Sequence, residues 1–114
     1  MAAVTLRGPY RLVSDVIGQF VPPGVPGVYV LGAVAPGELH PVDVVGRADL
    51  DLAPVLLGLV GSNSGFMFAP ATTTAEAFDL ECRLHHQFML TGLRPHPQAP
   101  KDSALACPIC GLQG

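Results

Sequence analysis

No apolar run in this 114-residue sequence approaches the roughly 18 residues that a helix needs to cross a bilayer. The greasiest stretch, Leu50 to Val60, is interrupted by Pro54 and Gly58 and closed by Gly61. Basic clusters are missing as well. Six Lys and Arg against nine Asp and Glu give a formal net charge of -3, and no two basic residues are neighbours, which excludes a strong phosphate-binding footprint. Charge of either sign is scarce, at 13% of residues against 49% hydrophobic, so a solvated disordered chain is excluded too. Residues 1–5 lack a basic region followed by an apolar run, so nothing reads as a signal peptide, and a cytoplasmic location is the default expectation. Three cysteines, an odd count, do not make a secreted disulfide framework. There is no internal repeat.

What is present is punctuation: 13 Gly and 12 Pro cut the chain into short elements. A chain this long builds one core and hides roughly two-thirds of the surface that it exposes when unfolded. Tyr10 to Phe20 places Leu12, Val16 and Phe20 on one helical face. Val28 to Val34 and Val42 to Gly46 are β-branched runs, read as two antiparallel strands joined by a long loop limited by Pro36 and Pro41. Asp49 or Asp51 caps a helix running to about Val60, and with Asp51 as the cap Pro54 takes the third helical position, where its missing N–H costs little. These two aspartates read as helix-capping charge rather than as an acidic metal pair. Phe66 to Ala69 forms a third strand, stopped by Pro70.

The clearest helix begins at the Thr73-x-x-Glu76 capping box and runs to about Leu90, before Gly92. At about 100° per residue, Ala77, Leu80, Leu84 and Phe88 form one apolar face. Phe78, Cys82, His85, His86 and Met89 form a second, adjoining one, and Glu76, Asp79, Arg83 and Gln87 take the solvated side. Glu81 projects at the seam between the two less polar faces. That is an expensive position for a carboxylate unless it binds something.

Taken together, Gly27-Val28-Tyr29, Val44-Val45-Gly46-Arg47-Ala48-Asp49-Leu50, Phe66-Met67-Phe68 and Ala75 to Cys82 resemble the GIY-YIG nuclease superfamily in motif, order and spacing, over roughly 26–90. The resemblance implies an α+β fold with a small three-stranded antiparallel sheet flanked by helices. It divides the chain into a lead-in at 1–26, a GIY-YIG-like domain at 27–92, and a C-terminal loop with a zinc knuckle at 93–114. It also implies a metal-dependent phosphodiesterase site, with Tyr29 as the first tyrosine and Glu81 as the metal-binding glutamate, holding Mg²⁺ or Mn²⁺ if active. The second tyrosine position is Val44, the expected helix arginine is Pro54, and no asparagine follows Glu81. Arg47, one residue past the motif glycine, is the remaining cation that could turn towards a phosphate. In-line attack needs an activated nucleophile, a Lewis acid and a cation for the developing charge, and Val44 supplies none of these.

Cys107 and Cys110 stand three residues apart around a tight turn ending in Gly111, as two thiolates meeting a tetrahedral ion do; a subgroup of the same family ends in such a Cys-Pro-x-Cys-Gly knuckle. Cys82 and His86, at i and i+4 on the helix, complete a Cys/His/Cys/Cys set for a structural Zn²⁺. His96 is the alternative ligand and His85 the next. The leading expectation is a degenerate GIY-YIG-like domain acting as a binding or accessory module for nucleic acid or another protein, without nuclease activity. The alternatives are an active metal-dependent endonuclease using Tyr29, Arg47 and Glu81, and a structural subunit. The high apolar fraction and the Phe78/Met89 face point to a homodimer or tight complex, with no membrane partner.

Overall fold

A computed structural model describes residues 5–35, 38–88, 97, 99, 105 and 107. Its elements run β1 (Arg7–Arg11), α1 (Ser14–Phe20), β2 (Gly27–Ala35), β3 (Glu38–Ala48), α2 (Leu52–Leu57), β4 (Gly65–Pro70) and α3 (Thr74–Gln87). The class is α+β, and the sheet is antiparallel with four strands in the order β1-β4-β2-β3. The expected three-stranded sheet is thus corrected by one strand. Arg7, Tyr10 and Arg11 pair with Phe68, Phe66 and Gly65, so Tyr10 belongs to an edge strand and the helix starts only at Ser14. Residues expected to form a lead-in are therefore part of the sheet. The shift also changes the helix's inner face: Ile17 is fully buried, whereas Phe20 is 42% exposed and stacks on Tyr10 with ring centroids 4.6 Å apart.

β2 lies between β3 and β4 and buries both its faces, Val28, Tyr29, Val30 and Leu31 all being almost inaccessible. Because successive strand residues point to opposite sides, this one strand feeds two cores. Tyr29 and Leu31 join Leu12, Ile17, Leu52, Leu56, Phe66 and Phe68 on the α1/α2 side. Val28 and Val30 join Leu84 of α3 on the other.

The β2–β3 hairpin is longer than expected. Pairing continues to Val34 with Leu39 and Ala35 with Glu38, through two irregularities near Gly32, so the anticipated loop is largely strand. β3 is an edge strand, and at an edge a proline such as Pro41 costs no ladder bond when its nitrogen faces outward. Asp51 is the residue before α2 and Pro54 the third within it, as expected, but the helix stops at Leu57 instead of Val60. Asp51 makes no capping bond; its Oδ1 accepts the Gly24 N–H at 3.1 Å and ties the loop before β2 to α2.

α3 starts as its capping box predicts. Thr73 Oγ1 accepts the Glu76 N–H at 3.0 Å, and the Glu76 carboxylate accepts the N–H of Thr72, also at 3.0 Å, in place of the usual cap residue. Leu84 is buried on the sheet with Leu80 and Phe88 beside it, which is the first predicted face. On the second face, Phe78 and Cys82 are covered by Ala99, Leu105 and Cys107 from the C-terminal part of the chain. Phe78 is therefore not a free surface for a second copy, and Met89 lies outside the described residues. Among the described residues no helix is long and apolar enough to cross a membrane.

Candidate functional site

The C-terminal end of β3 carries the site. Gly46 is paired with Tyr29, and Arg47 with Val28, so Tyr29 and Gly46 share the α1/α2 face while Arg47 starts from the α3 face. The Tyr29 ring lies directly across Gly46: a Cβ there would sit 2.3 Å from both Cζ and Oη, closer than any side chain tolerates. Glycine at this position is a packing requirement of the tyrosine. Asp49 leads out of the strand, and its carbonyl oxygen accepts the Thr74 hydroxyl at 2.7 Å, which fixes the start of α3 against the end of β3.

That attachment brings Glu81, two turns along α3, to Arg47. Arg47 Nη1 donates to Glu81 Oε1 at 2.8 Å, and Arg47 Nε donates to Asp49 Oδ1. The guanidinium also lies 5.4 Å from the centroid of the Phe78 ring, a cation–π contact with the residue that the C-terminal segment covers. The seam position of Glu81 is thereby explained: a carboxylate with a side chain only 12% exposed is held by a guanidinium equally withdrawn from water. Asp49, at 44%, is far wetter, so its share of the pairing is screened and the Glu81 contact is the stronger.

Tyr29 is close enough to feel this cluster. Burial raises its phenol above the ordinary tyrosine value, and the Glu81 charge raises it further, so the site keeps Tyr29 protonated instead of activating it. Val44, at the place of the family's second tyrosine, packs against the α1/α2 core, and Pro54 is exposed on α2. Arg7 and Arg11 do not converge with Arg47. They belong to β1, at the opposite edge of the sheet, and Arg7 lies over the Phe68 ring at 5.7 Å. The role of Asp49 was missed by reading the sequence, because an aspartate just before a helix looks like a cap.

The cysteine set is partly assembled. Cys82 and Cys107 are both buried and share a cluster with Phe78. Burial, then the nearby Cys107 thiol and the neighbouring negative groups, raise the Cys82 thiol. Cys110 and His96 lie outside the described residues. Among the described residues no three His, Cys, Asp or Glu side chains come together as a metal-binding group. His85, ranked behind His86 from sequence, is the more deeply buried of the two, and their rings meet edge to face at 5.4 Å.

Comparison of the chain with family models, with curated proteins and with solved structures finds no match.

Two measurements check this geometry. Glu81→Ala should cost about 2 kcal/mol in urea unfolding, less than the loss of a wholly buried pair because Asp49 still faces Arg47, whereas Asp49→Ala should cost less than about 1 kcal/mol. Equal effects would contradict the ranking of the two contacts. Alkaline titration tests Tyr29. Its folded-state value is raised above the unfolded 10.0, so its contribution to stability is whole below that pH and is lost as pH rises from there towards the folded value. Tyr29→Phe should flatten that part of the alkaline loss, leaving the earlier decline from Cys82, which starts near its ordinary 9.0.

Proposed function

We propose that this chain is a GIY-YIG-like domain reduced to a binding or accessory module for nucleic acid or another protein, without nuclease activity of its own. The observation that carries the reading is the Arg47–Glu81 pair. A glutamate that serves as a metal ligand must offer its oxygens to the ion, and here the family's glutamate position is already neutralised by the chain's own guanidinium. Among the described residues, Arg47, the cation that could turn towards a phosphate, is engaged in the same contact. The resemblance is supported by the β4-β2-β3 order with β2 central and all pairs antiparallel, and by Tyr29 lying over the motif glycine.

A structural Zn²⁺ belongs to the same reading. Cys82 and Cys107, with Cys110 and one histidine (His86, or His96), would hold it, and the support is that the helix thiol and the tail thiol already meet in one apolar cluster. Bound there, the ion would supply no chemistry beyond a crosslink between α3 and the tail, coupled to folding.

The isolated chain is expected to show no Mg²⁺- or Mn²⁺-dependent cleavage of single-stranded, double-stranded or branched DNA. Loss of a single charge-stabilising group typically lowers turnover by about a hundred to a thousandfold, and Val44 and Pro54 leave two roles empty. Metal-dependent cleavage that vanishes in Glu81→Ala would replace this reading with that of an active endonuclease. For the staple, elemental analysis should find one zinc per chain, and a strong chelator should lower the melting temperature; metal-free protein indifferent to chelator would remove it.

A further inference from the structure

Two thiols far apart in sequence meet in the driest part of the α3 surface. Cys82 comes from the middle of α3 and is fully buried; Cys107 comes from the C-terminal segment and is 3% exposed. They pack in one buried cluster with Phe78, with Ala99 and Leu105 closing it, and the two thiols are near enough for each to act on the other. A disulfide needs two sulfurs brought together on backbones that can close the last gap, and most of that ordering is already in place here. One partner sits on a helix fixed to the sheet.

We propose that Cys82 and Cys107 form an oxidisable pair whose disulfide, made by a hydroperoxide such as hydrogen peroxide, locks the C-terminal segment onto α3. In the first step one sulfur attacks the O–O bond, loses its proton to water and becomes a sulfenic acid while one water leaves. The second sulfur then displaces the sulfenic oxygen as another water. Two thiols lose two protons and two electrons, and the peroxide is reduced to two waters. Both sulfurs are buried, so oxidant reaches them only through local opening and the reaction is slow. The pair needs no metal for this chemistry. If the zinc reading is also right, oxidation consumes two of the ion's ligands and releases it.

The test treats the full chain as purified with hydrogen peroxide and maps its peptides without reduction, while a chromogenic chelator follows any zinc set free. The expected product links Cys82 to Cys107, is reversed by dithiothreitol, and still forms in Cys110→Ser. It should also raise the melting temperature by several degrees, because the crosslink closes the long loop between the two residues. A link confined to Cys107 and Cys110, or oxidation of single cysteines without a crosslink, would overturn the proposal; either is read in the unmodified sequence, so it does not depend on the variant folding. A Cys82–Cys107 link that forms with no zinc released leaves this proposal standing and removes the zinc staple instead.

Discussion

Strand β2 has hydrogen-bonded neighbours on both edges and apolar side chains on both faces, and it therefore cannot be stable in anything but the middle of a three-layer arrangement. Val28 and Val30 demand a cover on one side, and Tyr29 and Leu31 demand one on the other. Helices α1 and α2 meet the second demand and α3 the first. That division brings α3 alongside the end of β3, where the Thr74 hydroxyl binds the Asp49 carbonyl and Glu81 comes within reach of Arg47. The polar cluster is a consequence of how the central strand is buried.

The same arrangement separates two tasks along α3. Its first face, with Leu84, seals the sheet and is strictly a matter of core burial. Its second face, with Phe78 and Cys82, is covered by a few residues from the far end of the chain. Phe78 connects the two regions, since its ring touches the tail's cluster and also lies beneath the Arg47 guanidinium. Loss of the covering segment would wet both the thiols and the cation–π contact, raising the effective dielectric around Arg47 and weakening its hold on Glu81. The ion-pair site and the cysteine cluster are thus energetically linked through Phe78.

How far the residues alone led depends on whether the deciding partner was local. The capping box at Thr73 and Glu76 and the two apolar faces of α3 are set within four residues of each other, and the helix starts where the pattern puts it, though it stops at Gln87 instead of about Leu90. The seam position of Glu81 was legible for the same reason. Its partner was not, because Arg47 is 34 residues away and only the strand register brings it near. β1 was missed because Arg7-Gly8-Pro9-Tyr10-Arg11 has no β-branched alternation; it becomes a strand only by pairing with Phe66 and Phe68. The hairpin loop was drawn too long because Pro41 reads as a strand breaker, a rule that lapses at a sheet edge.

What the cluster can do chemically follows from its charge. Arg47 between Asp49 and Glu81 leaves one net negative charge, so the site attracts cations and repels phosphates, the reverse of what an arginine at a scissile phosphodiester would do. For a divalent ion to take Glu81, the guanidinium must leave a contact in which both side chains are nearly dry, and Arg47 over Phe78 would keep the wetter Asp49 as its counter-charge, at a cost of about 2 kcal/mol. Rotating Arg47 towards a phosphate breaks the same contact. Substrate binding would have to supply that energy before any bond was broken, and Tyr29, held protonated by burial and by the same carboxylate, offers no nucleophile or base to repay it. What the cluster does in the fold is hold β3 and α3 in register, through the Arg47–Glu81 pair and the Thr74 hydroxyl on the Asp49 carbonyl.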